Sequence, residues 1–124
     1  MDLNTINIMT LAYLGDSIYE VYVRKYLIDK GIAMVDELQR SAIKYVSAKG
    51  QCKIVSYLLD NKLLSDEEED IFKRGRNYKR SSHPKNTDII TYKMSSGFEA
   101  LIGYLYLNGD IDRLIEILRY IEVA

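Results

Sequence analysis

The sequence predicts an all-α fold, a single-domain helical bundle. Three observations carry that prediction: one proline in 124 residues, apolar residues recurring every three or four positions, and helix start and stop signals at the ends of the periodic stretches. The first helix is expected over about residues 8 to 29, with Leu11, Leu14, Ile18, Val21 and Ile28 inward and a stop at Lys30-Gly31. A second spans Val35 to Val46, with Leu38, Ala42, Ile43 and Tyr45 inward. A third runs from Ala48 to Leu59, and Gly50 weakens the junction between the two. Ser65 followed by Asp66-Glu67-Glu68 reads as an N-cap with acids in the first turn, opening a fourth helix that passes Ile71 and Phe72 and fades near Gly75. Residues 75 to 87 lack an apolar period and gather turn-forming and basic residues, which predicts a loop. A fifth helix follows over about Thr91 to Leu107, closed by Asn108-Gly109. The last, Asp110 to Glu122, is amphipathic with Leu114, Ile117, Leu118 and Ile121 inward. There is no internal repeat and no linker.

With 48% hydrophobic residues, a chain of this length suits one modest core. Cys52 is the only cysteine and His83 the only histidine, which excludes an internal disulfide and a Cys/His zinc cage and suits a reducing cytoplasm. No apolar run approaches the ~20 residues of a membrane helix, and Met1-Asp2-Leu3-Asn4 lacks the features of a secretory signal, so a soluble cytoplasmic protein is expected. No glycine-rich phosphate loop is present, which argues against a nucleotide-driven enzyme. Nothing orients Ser81, Ser82 and His83, beside Pro84, as nucleophile and base.

The net charge of -1 conceals a segregation. Acids fill Asp66-Glu67-Glu68-Glu69-Asp70, and Lys73, Arg74, Arg76, Lys79, Arg80 and Lys85 follow at once. Such an arm can meet the phosphates of a nucleic acid, with Arg74, Arg76, Lys79, Arg80 and Lys85 as candidate contacts and Tyr78 a stacking or merely solvated neighbour.

Two apolar helical stretches each carry a carboxylate, Asp16 in the first helix and Glu99 in the fifth. A carboxylate beside a packed core is solvent-facing, paired, or held by a cation, because an unpaired buried charge is costly. On a helix Asp16 neighbours Ala12, Tyr13, Tyr19 and Glu20, and so borders the core. Glu20 stands in the favourable order for an i,i+4 ion pair with Arg24, a reading preferred on spacing over catalysis. Glu99 shares its face with Ser95, Ser96 and Gly103, whose small side chains are expected to leave space above the carboxylate. On spacing alone, a solvated helix face stands at least level with a metal site.

Leu11-Ala12-Tyr13-Leu14-Gly15-Asp16-Ser17 and Phe98-Glu99-Ala100-Leu101-Ile102-Gly103, with Lys73-Arg74-Gly75-Arg76-Asn77 and Lys85-Asn86 between them, resemble the ribonuclease III catalytic-domain family. The match is best to its bacterial branch that lacks a double-stranded-RNA-binding domain. The resemblance implies the helical fold of that catalytic domain and a Mg2+-dependent endoribonuclease that leaves 5' phosphates and 3' hydroxyls with short 3' overhangs. It further implies a large-subunit (23S) ribosomal RNA precursor as substrate. It puts the family's metal-binding acids on Asp16 and Glu99. Ala12, Met9 and Ser96 stand where fuller enzymes carry three more acids, so the metal would lean on water, phosphate oxygens and Glu20 as a further candidate ligand. The resemblance also implies a symmetric homodimer in which Tyr13 enters a pocket of the partner subunit. On spacing alone, Tyr13 is an ordinary surface residue among 11 tyrosines. The alternative class is a helical RNA-binding dimer whose catalytic acids have decayed; a third reading is a protein-interaction bundle.

Overall fold

A computed structural model describes residues 2–79, 85 and 88–124. Among these described residues six α-helices run in the order α1 (Ile8–Asp29), α2 (Val35–Val46), α3 (Ala48–Asp60), α4 (Asp66–Asn77), α5 (Ile89–Leu107) and α6 (Ile111–Leu118), followed by a 3-10 turn over Arg119–Val123. Local chemistry sets the ends. Asn7 accepts from the Met9 amide to start α1, and Ser47 accepts from the Gly50 amide to start α3. Ser65 and Glu68 form a reciprocal capping box at α4. Asp88 caps α5 through the Thr91 amide, and Gly109, at φ 78°, turns the chain out of it.

Helix α5 is the centre of the bundle and packs against α1, α3 and α4. Its residues Ser95 to Phe98 and Ala100 to Leu105 are buried, an all-round burial that only a surrounded helix shows. Tyr19 of α1 meets Phe98 edge-on, with ring centroids 5.3 Å apart, and its hydroxyl donates to the Tyr45 carbonyl of α2 at 2.8 Å. Burial pushes the Tyr19 phenol well above its ordinary pKa. On the opposite side Glu68 of α4 accepts from Arg113 of α6, at 2.8 Å from both Nε and Nη2, and Arg113 Nη2 also donates to the Leu63 carbonyl at 2.5 Å. This forked contact locks α6 and the turn before α4 onto the bundle.

Several expected details are corrected. The buried face of α1 is Ile8, Leu11, Ala12, Gly15, Tyr19, Val23 and Leu27, whereas Val21 and Ile28 are exposed and Leu14 and Ile18 half-buried. Gly15 chooses the face, because it admits the α5 backbone where a larger aliphatic cannot. Ile43 is likewise exposed. Helix α4 does not stop at Gly75 but passes through it to Asn77. A Cβ there would stand 2.9 Å from both Gly97 Cα and Ala100 Cβ, so this glycine serves close approach to α5 rather than termination. The last helix ends as α-helix at Leu118 and tightens into the 3-10 turn, though Leu114, Ile117, Leu118 and Ile121 are buried as expected. Among the described residues no helix is long and apolar enough to cross a membrane.

Candidate active site

The backbones approach closely where α1 crosses α5. A Cβ at Gly15 would stand 2.7 Å from the Glu99 carbonyl carbon, nearer still to its oxygen, and 2.9 Å from the Gly103 nitrogen. Reciprocally, a Cβ at Gly103 would stand 2.8 Å from the Leu11 carbonyl carbon and 3.2 Å from the Gly15 nitrogen. Two glycines thus let the backbones touch, and Asp16 follows directly after one of them. The crossing sets Asp16 and Glu99 on facing helices at the same level, Asp16 exposed and Glu99 half-buried.

The small residues around Glu99 do not leave the expected space. Ser95 and Ser96 are buried, and Gly103 is filled by the α1 backbone. Among the neighbours of the Glu99 carboxylate is Gln51 of α3, whose Nε2 donates to Glu99 Oε2 at 3.3 Å and to the Val46 carbonyl at 3.1 Å. Sequence reasoning missed Gln51. Its signal was present: with Ile54, Val55 and Leu58 it occupies the inward period of α3, an amide where an aliphatic residue is the norm.

Glu20 pairs with Arg24 at 3.1 Å, as the spacing indicated. Tyr13 is 82% exposed. Arg74 and Arg76 lie in the last turn of α4 rather than beyond it, where their charge complements the carbonyl end of the helix. Arg74 Nη2 donates to the Ile6 carbonyl at 3.3 Å, and the Arg76 guanidinium stacks 5.6 Å from the Phe72 ring centroid. Lys79 and Lys85 are exposed, whereas Arg80, with Ser81, Ser82 and His83, lies outside the described residues.

Among the described residues no group of three or more acids, histidines or cysteines is gathered for a metal. Asp16 and Glu99, the two acids read from the sequence, offer an all-oxygen donor set. It fits a hard divalent cation, since Mg2+ is commonly held by one or two carboxylates and fills its octahedron with water and substrate phosphate. It does not fit a softer metal that needs nitrogen or sulfur ligands.

Residues 9–110 match the model of the Ribonuclease III domain. The sequence is 44% identical over 114 residues to Mini-ribonuclease 3 of Streptococcus pneumoniae, covering 92% of this chain and 89% of that protein. It is 46% identical over 118 residues to Mini-ribonuclease 3 of Brevibacillus brevis, covering 95% and 87% respectively. A crystal structure of a protein from Fusobacterium nucleatum superposes with a TM-score of 0.83 at 30% identity, covering 95% of this chain and 93% of that one. The chain belongs to the ribonuclease III domain family. Its activity class is that of an endoribonuclease, and its relatives carry the name Mini-ribonuclease 3.

Proposed function

We propose that this protein is a Mg2+-dependent endoribonuclease that cuts both strands of double-stranded RNA, leaving 5' phosphates and 3' hydroxyls. The observation that carries the proposal is the contact of Gly15 with the Glu99 backbone, which brings the two carboxylate-bearing turns of α1 and α5 together. Asp16 and Glu99 are the residues assigned to hold the ion, with Glu20, already paired to Arg24, a subsidiary ligand through its second oxygen. When bound, Mg2+ supplies Lewis-acid polarisation of the scissile phosphate and a lowered pKa for an attacking water.

The chain's own residues do the rest. Asp16, facing solvent, is open to the RNA backbone, while Glu99 is anchored from behind by a buried helix. Arg74, Arg76, Lys79, Arg80 and Lys85 are assigned to phosphates on either side of the cut, where the A-form duplex is recognised by shape and charge rather than base edges. One site serves one strand, so cleavage of a duplex in one encounter calls for a second copy. The 82% exposure of Tyr13, on the helix that carries Asp16, supports a symmetric homodimer formed through this face. By resemblance to the branch without a double-stranded-RNA-binding domain, the substrate is a large-subunit (23S) ribosomal RNA precursor, and the compartment the cytoplasm.

The test is incubation of the purified protein with a long RNA duplex, with and without Mg2+, followed by analysis of the product ends. Cleavage that requires Mg2+ and leaves 5' phosphates is expected. A duplex that binds but is never cut would instead favour the decayed RNA-binding dimer, which the residues Met9, Ala12 and Ser96 leave open.

A further inference from the structure

We infer that Gln51 is a positioning residue for Glu99, fixing the orientation of its carboxylate for cation binding; the inference rests on the metal role assigned above. Gln51 is 2% exposed, and both acceptors of its amide nitrogen are oxygens, the Val46 carbonyl at the end of α2 and Glu99 Oε2 in α5. The amide can face only one way, since the flipped orientation would set its own oxygen against two others. In that orientation its Oε1 is buried and accepts no hydrogen bond among the described residues.

A buried, unsatisfied carbonyl is a cost that methionine or leucine at the same place would avoid, because position 51 already lies on the inward face of α3 with Ile54, Val55 and Leu58. What the amide supplies and those residues cannot is a donor to Glu99. A glutamate has three rotatable bonds, and one hydrogen bond from a buried, immobile donor fixes the plane of its carboxylate. The same amide ties that carboxylate to the last carbonyl of α2, so α2, α3 and α5 all hold the metal-binding oxygen in register. Hydrogen-bond partners of this kind are worth about 10–100-fold in metal affinity.

The experiment compares the full chain with Gln51→Met and Glu99→Gln. Mn2+ binding to the RNA-free protein is measured by electron paramagnetic resonance. The Mg2+ concentration for half-maximal duplex cleavage and duplex affinity without metal are measured beside it. For Gln51→Met, Mn2+ binding weakens and the Mg2+ midpoint rises, each by about tenfold or more, while metal-free duplex affinity is unchanged. A parent-like Mn2+ affinity and Mg2+ midpoint in a folded Gln51→Met protein overturn the inference, leaving Gln51 as no more than a cap on α2. If Glu99→Gln itself binds Mn2+ and cuts RNA like the parent, the metal reading fails and the inference with it. If only Glu99→Gln is impaired, the metal reading stands and the role of Gln51 falls. Should Gln51→Met not fold, the side-chain amide resonances of the parent decide. Addition of Mg2+ shifts the Gln51 signal under the inference, and a signal that stays put while Mg2+ binds overturns it.

Discussion

The crossing of α1 and α5 makes Gly15→Ala the most informative single change. The added methyl would stand 2.7 Å from the Glu99 carbonyl carbon, whereas ordinary Cβ contact begins at 3.4 Å, so the helices must part by at least 0.7 Å (3.4 Å against 2.7 Å), and by more to clear the oxygen. The obstacle is backbone on a buried helix, which has no rotamer to escape into. Overpacking of this kind costs about 1–3 kcal/mol, more for rigid neighbours, and the upper end applies here. Alanine returns about 1 kcal/mol through its helix propensity, leaving a net loss of about 2 kcal/mol. For a domain of this size that lowers Tm by about 5–10 °C. The displacement falls on the helix turn that carries Asp16, and misplacement by about 1 Å can cost on the order of a hundredfold in rate. The assay pairs thermal unfolding with single-turnover cleavage of a duplex, well below Tm. Gly109→Ala is the control, since a Cβ there meets nothing within 4 Å and pays only for its φ of 78°. It should lose about 1 kcal/mol with cleavage intact. A Gly15→Ala protein that melts and cleaves like the parent refutes the account of the crossing.

Three further outcomes are expected. Burial alone would raise the Glu68 carboxyl pKa, but hydrogen bonds from Arg113 and Ser65 and the guanidinium charge hold it below the ordinary 4.5. Its stabilising effect is therefore present above that value and is lost as pH falls through the lower folded value; urea unfolding across that range should show the loss in the parent and a flatter acid limb in Glu68→Gln. Replacing Arg74 and Arg76 together by Ala should reduce the slope of log affinity against log salt by about 2, and an unchanged slope would remove their phosphate role. Tyr13→Ala should shift the protein toward monomer in sedimentation equilibrium; a parent protein that is already monomeric at micromolar concentration would dismiss the dimer.

Much of the fold was legible because its boundaries are chemical. Ser65, read as an N-cap, accepts from the Glu68 amide, a local signal, whereas the caps Asn7, Ser47 and Asp88 went unread and the start of α5 was placed two residues late, at Thr91 rather than Ile89. What sequence reasoning got wrong depends on partners distant along the chain. Gly75 looks like a stop until α5 is seen packed against it, and the face of α1 cannot be chosen between Leu14/Ile18 and Ala12/Gly15 without knowing that Gly103 lies opposite. At the site, Asp16 and Glu99 stood out as charges in apolar stretches, and Glu20–Arg24 followed from spacing. Gln51 went unread although its amide breaks the apolar period of α3, because the meaning of that break depends on a carboxylate 48 residues away.

The central claim is that Asp16 and Glu99 grip one divalent ion between them. Mn2+ affinity of the RNA-free protein, measured for Asp16→Asn, Glu99→Gln and the double variant, tests it most directly. If the two acids share one ion, the double variant binds little worse than the weaker single variant. Losses that multiply, or single variants that bind like the parent, would contradict a shared ion.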